Sequence, residues 1–304
     1  MTVVALCSVK GSPGVTTLAC LLGAVWPVGT PVVVAECDPA GGDVAARFGL
    51  QGRTGMASFA LAARRAGEPL EVEPHLQYLP GGLEILVGAR PMEAARAVDA
   101  ETGGVDALLR LERDVIVDCG RIAPDASGQR LLLARADAVV IVARSDVSSL
   151  GHVETAAARL RQERSGALAL ALVTGLRHAP RSAGRGLPLD LAVTIPDDRA
   201  AAAIVRGEAG SRRRLARSPL VEASERLRRW ISASTVATSS AARTARPFAA
   251  RPVTGQPVSG QSLSGQPLSG QSLPGDPAAG WPEPASWAQS AGSGVPIEPS
   301  GTWP

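Results

Sequence analysis

The sequence predicts an α/β domain with a mostly parallel sheet flanked by helices on both faces. Apolar, β-branched runs recur through the first part of the chain, and they are continuous rather than alternating, as expected for strands buried on both faces. Helical stretches separate successive runs, and this alternation implies a parallel sheet. Because the composition is 45% hydrophobic but only 3% aromatic, the core must be built from Ala, Val and Leu.

Each element is predicted from its own run of residues. The strands are predicted at 3–8, 32–37, 83–87, 115–119, 138–143 and 168–174, with a weaker strand at 191–195. The helices are predicted at 17–25, 43–48, 57–65, 92–100, 129–136, 148–164, 198–206 and 220–231. Ligands of such sheets bind beyond the carboxyl ends of the strands, so the chemistry is expected just after Ser8, Cys37 and Cys119.

The bulk composition narrows the class of protein. A net charge of +3 is too small to indicate nucleic-acid binding by itself. The four cysteines show neither CxxC spacing nor the density of a disulfide scaffold. The first residues do not read as a signal peptide, and no stretch approaches the roughly 20 apolar residues of a membrane span. We therefore expect a cytoplasmic protein, with peripheral association with the membrane or nucleoid left open.

The composition changes sharply near residue 235, which predicts a folded domain at 1–233 and a tail at 234–304. The tail is rich in Pro, Gly, Ser and Gln, and a GQxxS-like pattern repeats between residues 255 and 274. Such a segment cannot bury enough apolar area to offset its chain entropy, so we expect it to be disordered. Its tryptophans leave open a second role as anchors for a protein partner: Trp281, Trp287 and Trp303.

The stretch from Lys10 to Thr17 has the pattern of a phosphate-binding loop. A glycine-containing turn leads into an Ala/Leu-rich helix, and the N–H groups and dipole of a helix N-terminus favour an anion. The usual loop, GxxxxGK[ST], adds a lysine for the phosphates and a hydroxyl for Mg²⁺. Here Val15 stands at the lysine position, while Thr16 keeps the hydroxyl. Lys10 is the only lysine among the 304 residues.

Two further strand ends carry carboxylates. The second strand is followed by Glu36-Cys37-Asp38-Pro39, and the fourth ends in an apolar run that reaches Asp118. A carboxylate at the end of a buried strand is what a Mg²⁺ beside a phosphate requires. Together with the loop, these positions predict a nucleotide site.

With this loop and these two carboxylates, the sequence resembles the MinD/ParA family of deviant Walker P-loop ATPases, whose loop reads KGGxGK[ST]T. The loop matches that motif at Lys10, Gly11, Gly14, Thr16 and Thr17, and it departs at Ser12 and Val15. Segments 136–160 and 193–210 also resemble the family. The resemblance implies a P-loop NTPase fold that binds ATP and Mg²⁺.

The resemblance also implies a role for each site residue. Asp38 would orient the attacking water, Thr16 and Asp118 would hold Mg²⁺, and Lys10 would reach across a nucleotide-dependent homodimer to the partner's phosphates. The residues that would cradle the phosphates are Gly11, Ser12, Pro13, Gly14, Val15, Thr16 and Thr17.

One subgroup, the TadZ/CpaE-like proteins of pilus assembly, resembles the chain most at 36–50 and 81–91. These proteins commonly lack the second loop lysine too. Two features are expected to set the sequence apart from the subgroup: members typically have a receiver-like N-terminal domain, which is not recognised here, and they have no characteristic Pro/Gly/Gln tail. Where many members of the wider family have an asparagine that reads adenine, this chain has Thr174-Gly175.

The function implied is that of an ATP-linked spatial regulator that recruits an unidentified protein partner and positions a cellular machine. Pilus assembly, septum placement and chromosome partitioning are the candidate machines. The alternative is a catalytically dead pseudo-ATPase scaffold, and Val15 is the residue that separates the two. Two weaker partners also stay open: non-specific DNA through Arg212–Arg214 and Arg217, and a membrane surface through the helix at 220–231.

Overall fold

The computed structural model describes residues 1–11, 13–65, 70–100, 102–175, 186–208 and 210–244. Within these ranges eight strands form one sheet, in the order β3-β4-β2-β5-β1-β6-β7-β8. Every neighbouring pair is parallel except β3 and β4. The strands are β1 (Val3–Ser8), β2 (Val32–Glu36), β3 (Gln77–Leu79), β4 (Leu83–Leu86), β5 (Asp114–Arg121), β6 (Ala138–Arg144), β7 (Ala167–Thr174) and β8 (Leu191–Pro196). The predicted α/β architecture is confirmed.

Ten helices accompany the sheet in this part of the chain, and all eight predicted helices are among them. They are α1 (Val15–Ala24), α2 (Val44–Phe48), α3 (Met56–Arg65), α4 (Met92–Ala100), α5 (Thr102–Leu108), α6 (Ser127–Arg135), α7 (Val147–Glu163), α8 (Arg199–Val205), α9 (Arg212–Ala216) and α10 (Pro219–Thr244). The sequence does not predict β3, α5 or α9.

Tertiary packing explains α5, whose sequence TGGVDAL contains two glycines that disfavour a helix. Gly104 is buried against α3, and a Cβ at this position would lie only 2.7 Å from the Cβ of Ala60. The glycine that weakens the local helix preference therefore permits the close approach of α3 that holds the helix.

The core lies on both faces of the sheet and fixes the central strands from both sides. On one face, β1 and neighbouring strands pack against α1 and α10 through residues such as Leu6, Leu22 and Leu227. On the other face, α3, α5, α6 and α7 contribute residues such as Phe59 and Leu132. All six residues of β1 are buried, so the carboxyl end of this strand is a rigid platform for the loop that follows.

Helix α10 extends past the predicted domain boundary. The sequence predicts a helix at 220–231 and a tail from 234, but α10 continues to Thr244, eleven residues past 233. Thr235 is buried and donates to the carbonyl of Ser232, and the following residues include several alanines, which favour helix. The remainder of the predicted tail, with its repeats and three tryptophans, lies outside the described residues.

The apolar face of α10 belongs to the core. Leu220, Ala223, Leu227 and Ile231 are each at most 5% exposed. This burial favours a terminal helix docked on the domain over a helix whose apolar face lies on a membrane. None of the helices in the described residues is long and apolar enough to cross a membrane.

Candidate functional site

Three neighbouring strands bring the predicted site residues to one edge of the sheet. β2, β5 and β1 lie side by side, and in their register Glu36, Asp118 and Leu6 stand opposite one another. The loop after β1, the Asp38 segment after β2 and Asp118 within β5 therefore share this edge.

The loop after β1 presents a helix N-terminus with free N–H groups. Gly11 and Gly14 have φ angles of 62° and 100°, a left-handed region that L side chains rarely adopt. Gly14 is the N-cap of α1, and among the described residues no side chain caps this helix and no acidic residue lies in its first turn. The dipole and the N–H groups of that turn are thus available to an anion. Ser12, predicted in the same cradle, lies outside the described residues.

Val15 places a buried apolar side chain where the usual loop carries lysine. The side chain is 6% exposed and belongs to the core cluster that includes α1. Pro13 is buried as well, whereas Thr16 and Thr17 are half-buried. The loop therefore offers backbone donors and hydroxyls from this turn, but position 15 supplies no charge.

Asp118 is a buried carboxylate with one oxygen left unpaired. The residue is 1% exposed, and its Oδ1 accepts a hydrogen bond of 3.0 Å from the N–H of Gly120. Oδ2 has no hydrogen-bond partner among the described residues, although the Thr16 hydroxyl lies near enough to lower the pKa of the carboxyl. Burial dominates and raises this pKa to about 7. A buried carboxylate oxygen without a partner, beside a threonine hydroxyl, fits a bound cation, because a buried charge needs a partner and Mg²⁺ prefers oxygen ligands.

Asp38 lies against the backbone that follows Asp118. Its Oδ1 accepts a 2.8 Å hydrogen bond from the N–H of Ala40, and its carboxylate covers the Cα of Gly120 so closely that a methyl group there would collide with it. Burial raises the pKa of Asp38. Gly120, with φ of 58°, is therefore one contact between the ends of β2 and β5.

Glu36 is a structural anchor of the site that the sequence analysis did not assign a role. It is 3% exposed and accepts hydrogen bonds from the N–H groups of Gly88 (2.8 Å), Asp43 (2.8 Å) and Val44 (3.1 Å). Burial raises the pKa of the carboxyl despite these donors. Through them Glu36 ties the Asp38 segment to the loop after β4 and to the start of α2. The signal in the sequence is a charge at the end of the apolar strand VVVAE.

Gln129 and Asp99 hold the segment after β5, and the sequence analysis missed both. The Gln129 side chain donates to the carbonyls of Cys119 (2.6 Å) and Arg121 (2.8 Å) and accepts from the N–H of Ala123 (2.8 Å). Asp99 of α4 accepts from the N–H of Gln129 at 2.6 Å, at the start of α6. These contacts fix the turn at residue 120 on which Asp38 rests.

Lys10 reaches away from the carboxylates of its own chain. Its Nζ donates to the Ser148 hydroxyl at 3.1 Å, at the start of α7. Its charge also helps to lower the pKa of Asp146, after the larger effect of the hydrogen bonds from Ser149. The lysine is exposed, so its ammonium is accessible from outside the chain.

One cavity borders the loop, and a second borders Asp38. The first, of about 150 Å³, is lined on the α1 side by Gly14 and Thr17 and further by Arg144, Asp197 and Arg206, among others. Thr174 is buried, and its carbonyl accepts from the N–H of Asp197. The family resemblance places an adenine-reading asparagine at this position. The second, of about 380 Å³, lies on the other side of β1, where Asp38, Met92 and Arg121 are among its lining residues.

Known proteins match this chain in structure but not in sequence. No sequence profile of a protein family and no curated protein matches it. The cell division ATPase MinD of Pyrococcus furiosus is 20% identical, with 76% of this chain and 98% of that one covered and a TM-score of 0.59. MinD of Pyrococcus horikoshii OT3, a septum site-determining protein solved with Mg-ADP, is 17% identical over 75% of this chain and 94% of that one, with a TM-score of 0.58. A ParA family ATPase from Chlorobium tepidum TLS is also 17% identical, over 76% and 97%, with a TM-score of 0.58. The chain has the MinD/ParA fold.

The MinD/ParA fold is present over nearly its full length, since at least 94% of each of these relatives is covered. At 17–20% identity the likeness is one of fold, and residue roles depend on the geometry of this chain.

The predicted basic patch lies on α9, where Arg213 and Arg214 are exposed. The pKa of Asp198 is lowered mainly by hydrogen bonds from Ala201 and Ser218, and the charge of Arg214 makes a smaller contribution.

Proposed function

We propose that the chain is an ATP-linked spatial regulator of the MinD/ParA type, which binds ATP at the loop between β1 and α1 and dimerises around it. The observation that carries this proposal is the unpaired, buried Oδ2 of Asp118 beside Thr16 and the uncapped start of α1. An anion site and a cation site at the same strand edge are what a Mg²⁺-nucleotide requires.

Each residue of the proposed nucleotide site has its own role. The N–H groups from Gly11 to Thr17 bind the phosphates, Thr16 and Asp118 hold Mg²⁺, and Asp38 orients the attacking water. Bound Mg²⁺ would offset the negative charge of the phosphates. Asp38 suits its role because its carboxylate is held by Ala40 and Gly120 at the edge beside the loop. The MinD of Pyrococcus horikoshii OT3, whose structure holds Mg-ADP, supports the assignment of the ligand.

Lys10 acts on a second copy of the chain. Its ammonium is exposed and contacts α7 rather than the carboxylates of its own site, and it is the only lysine in a chain whose other basic residues are arginines. A compact ammonium on a flexible stem can enter a phosphate site in which a guanidinium does not fit. We infer that Lys10 completes the site of the partner in a nucleotide-dependent homodimer.

The fold relatives and the resemblance to TadZ/CpaE-like proteins support a proposal for the cellular task. We place the protein in the cytoplasm, peripheral to the membrane or nucleoid, where it recruits a protein partner for pilus assembly, septum placement or chromosome partitioning. The relatives are described as a cell division ATPase, a septum site-determining protein and a ParA family ATPase, which supports positioning as the shared theme.

The second candidate is a pseudo-ATPase scaffold, and buried Val15 favours it. A missing charge-assisted contact costs about 1.5–3 kcal/mol, and the loss is largest in the transition state, where charge spreads over the transferred phosphoryl group. In this reading the same surfaces bind nucleotide and partner without turnover.

The deciding experiment measures Mg-ATP affinity, dimerisation and turnover for the wild type and for Lys10→Ala, Val15→Lys and Val15→Met. Val15→Met controls for side-chain length without charge. Turnover by the wild type that Lys10→Ala removes supports the leading proposal. If only Val15→Lys hydrolyses ATP, the scaffold is favoured, and if the wild type neither binds ATP nor dimerises with it, the leading proposal fails.

A separate experiment tests DNA binding. Retention on non-specific DNA that weakens with salt and with the loss of Arg213 and Arg214 would favour a partition role.

A further inference from the structure

Arg144 ends the strand next to the phosphate loop. β6 pairs with β1 so that Ser8 stands opposite Val142, and Arg144 comes two residues later, at the end of β6. It lines the 150 Å³ cavity together with Gly14 and Thr17 at the start of α1. An arginine thus borders the same space as the anion-binding turn.

Two of the three other charged groups of this cavity, Arg206 and Asp198, are engaged in the domain, and the third, Asp197, lines the cavity as well. Arg206 pairs with Glu208 through Nη2 at 2.8 Å. Asp198 caps α8 through the N–H of Ala201 and accepts from the Ser218 hydroxyl. Arg144 is exposed, and within the described ranges its guanidinium has neither a hydrogen bond nor an ion pair.

The loop itself lacks a cation for phosphates in the same chain. Val15 is buried in the core, and the Nζ of Lys10 donates to Ser148. The uncapped turn of α1 provides N–H donors and a partial positive charge, but a di- or triphosphate carries several full negative charges.

We propose that Arg144 supplies, within its own chain, the phosphate-binding cation that Val15 does not. A guanidinium presents a planar fork of donors that matches two phosphate oxygens, and β6 holds its base rigidly beside α1. This assignment rests on the proposed function, since it concerns the same nucleotide. It explains how the loop binds phosphate although its lysine position is apolar.

Arg121 provides a matched control. It ends β5, the strand on the other side of β1, and its side chain is exposed like that of Arg144. It lines the other cavity, beside Asp38. Arg144→Ala and Arg121→Ala therefore remove the same charge from exposed ends of the two strands that flank β1.

The test is calorimetric titration of the full chain with Mg-ATP, Mg-ADP and adenosine. Arg144→Ala is expected to lower the affinity for ATP and for ADP about ten- to a hundred-fold, which is the effect of losing one charge-assisted contact. The affinity for adenosine is expected to stay unchanged. Arg121→Ala is expected to leave ADP affinity within about twofold. Adding Val15→Lys to Arg144→Ala should restore ADP affinity, which a merely misfolded variant would not show.

Three results would overturn the inference. Equal ADP affinity in the wild type and Arg144→Ala removes the role while leaving the proposed function intact. An equal loss for adenosine and ADP assigns Arg144 to the nucleoside instead. If the wild type binds none of the nucleotides, the proposed function fails and the inference falls with it.

Discussion

The Nζ of Lys10 donates a hydrogen bond of 3.1 Å to the Oγ of Ser148 at the start of α7. The contact is exposed, so it exchanges readily with water or with a partner's phosphate. We predict that Lys10→Ala weakens ATP-dependent dimerisation about tenfold or more but leaves the affinity of the monomer for ADP unchanged. Ser148→Ala is the control and should still dimerise with ATP. Analytical ultracentrifugation with ATP measures dimerisation and calorimetric titration measures ADP affinity, and a loss of ADP affinity in Lys10→Ala would contradict the assignment in trans.

The second prediction concerns Asp118 and pH. Burial raises the pKa of this carboxyl to about 7, above its value in the unfolded chain, so the folded state binds more protons. The free energy of unfolding contributed by this group is therefore largest in acid and is lost as pH rises through about 7. The Asp118→Asn side chain does not ionise, so its stability does not fall over this pH range. Without nucleotide, the variant should therefore be more stable than the wild type at about pH 8.5, and the difference should disappear towards about pH 4.

Thermal melts across this range measure the effect. Nucleotide with Mg²⁺ should reverse the order, because only ionised Asp118 can bind a cation, and the stabilisation of the wild type by Mg-ADP should grow as pH rises. A constant difference between Asp118→Asn and the wild type at all pH values would show that the carboxyl does not titrate in this range.

The strand ends explain why part of the site is predictable from sequence. Asp118 is recognisable because a charge ends a buried apolar strand, and parallel strands deliver their carboxyl ends to one edge. Lys10 and Asp38 follow from the same rule. The role of Glu36 is not predictable in this way, because its donors come from Gly88, 52 residues away, and from the start of α2. Only the packed fold brings these N–H groups together.

The elements missed from sequence have similar causes. β3 is three residues long and pairs antiparallel at the edge, so it shows no buried run. α9 has five residues, of which only Leu215 is buried. The last turns of α10 carry no apolar periodicity, and helix propagation from the docked part of the helix maintains them. For β3 and α9, tertiary context rather than local preference decides the conformation.

The third prediction tests the anchor at Glu36. In Glu36→Gln, the amide nitrogen must face at least one of the three backbone N–H groups that now meet an oxygen. We expect a loss of about 1–3 kcal/mol in the free energy of unfolding, measured by urea denaturation. The control, Glu222→Gln, removes an exposed pair with Arg226 and should change stability by less than about 0.5 kcal/mol. Equal effects of the two substitutions would deny Glu36 its role.

The last prediction separates backbone strain from collision at Gly120. Gly120 and Gly49 have similar left-handed φ angles of 58° and 64°. A Cβ at Gly49 would meet nothing within 4 Å, whereas one at Gly120 would collide with the Asp38 carboxylate. Gly49→Ala should therefore cost only the strain of the left-handed region, about 1–2 kcal/mol. Gly120→Ala should cost more and should also displace Asp38, so that any turnover falls while ADP affinity is retained. Urea denaturation, ADP titration and ATPase rates measure the three effects. Because a Cβ at Gly120 would meet the Asp38 carboxylate directly, a Gly120→Ala variant with the stability of Gly49→Ala and wild-type turnover would contradict the prediction.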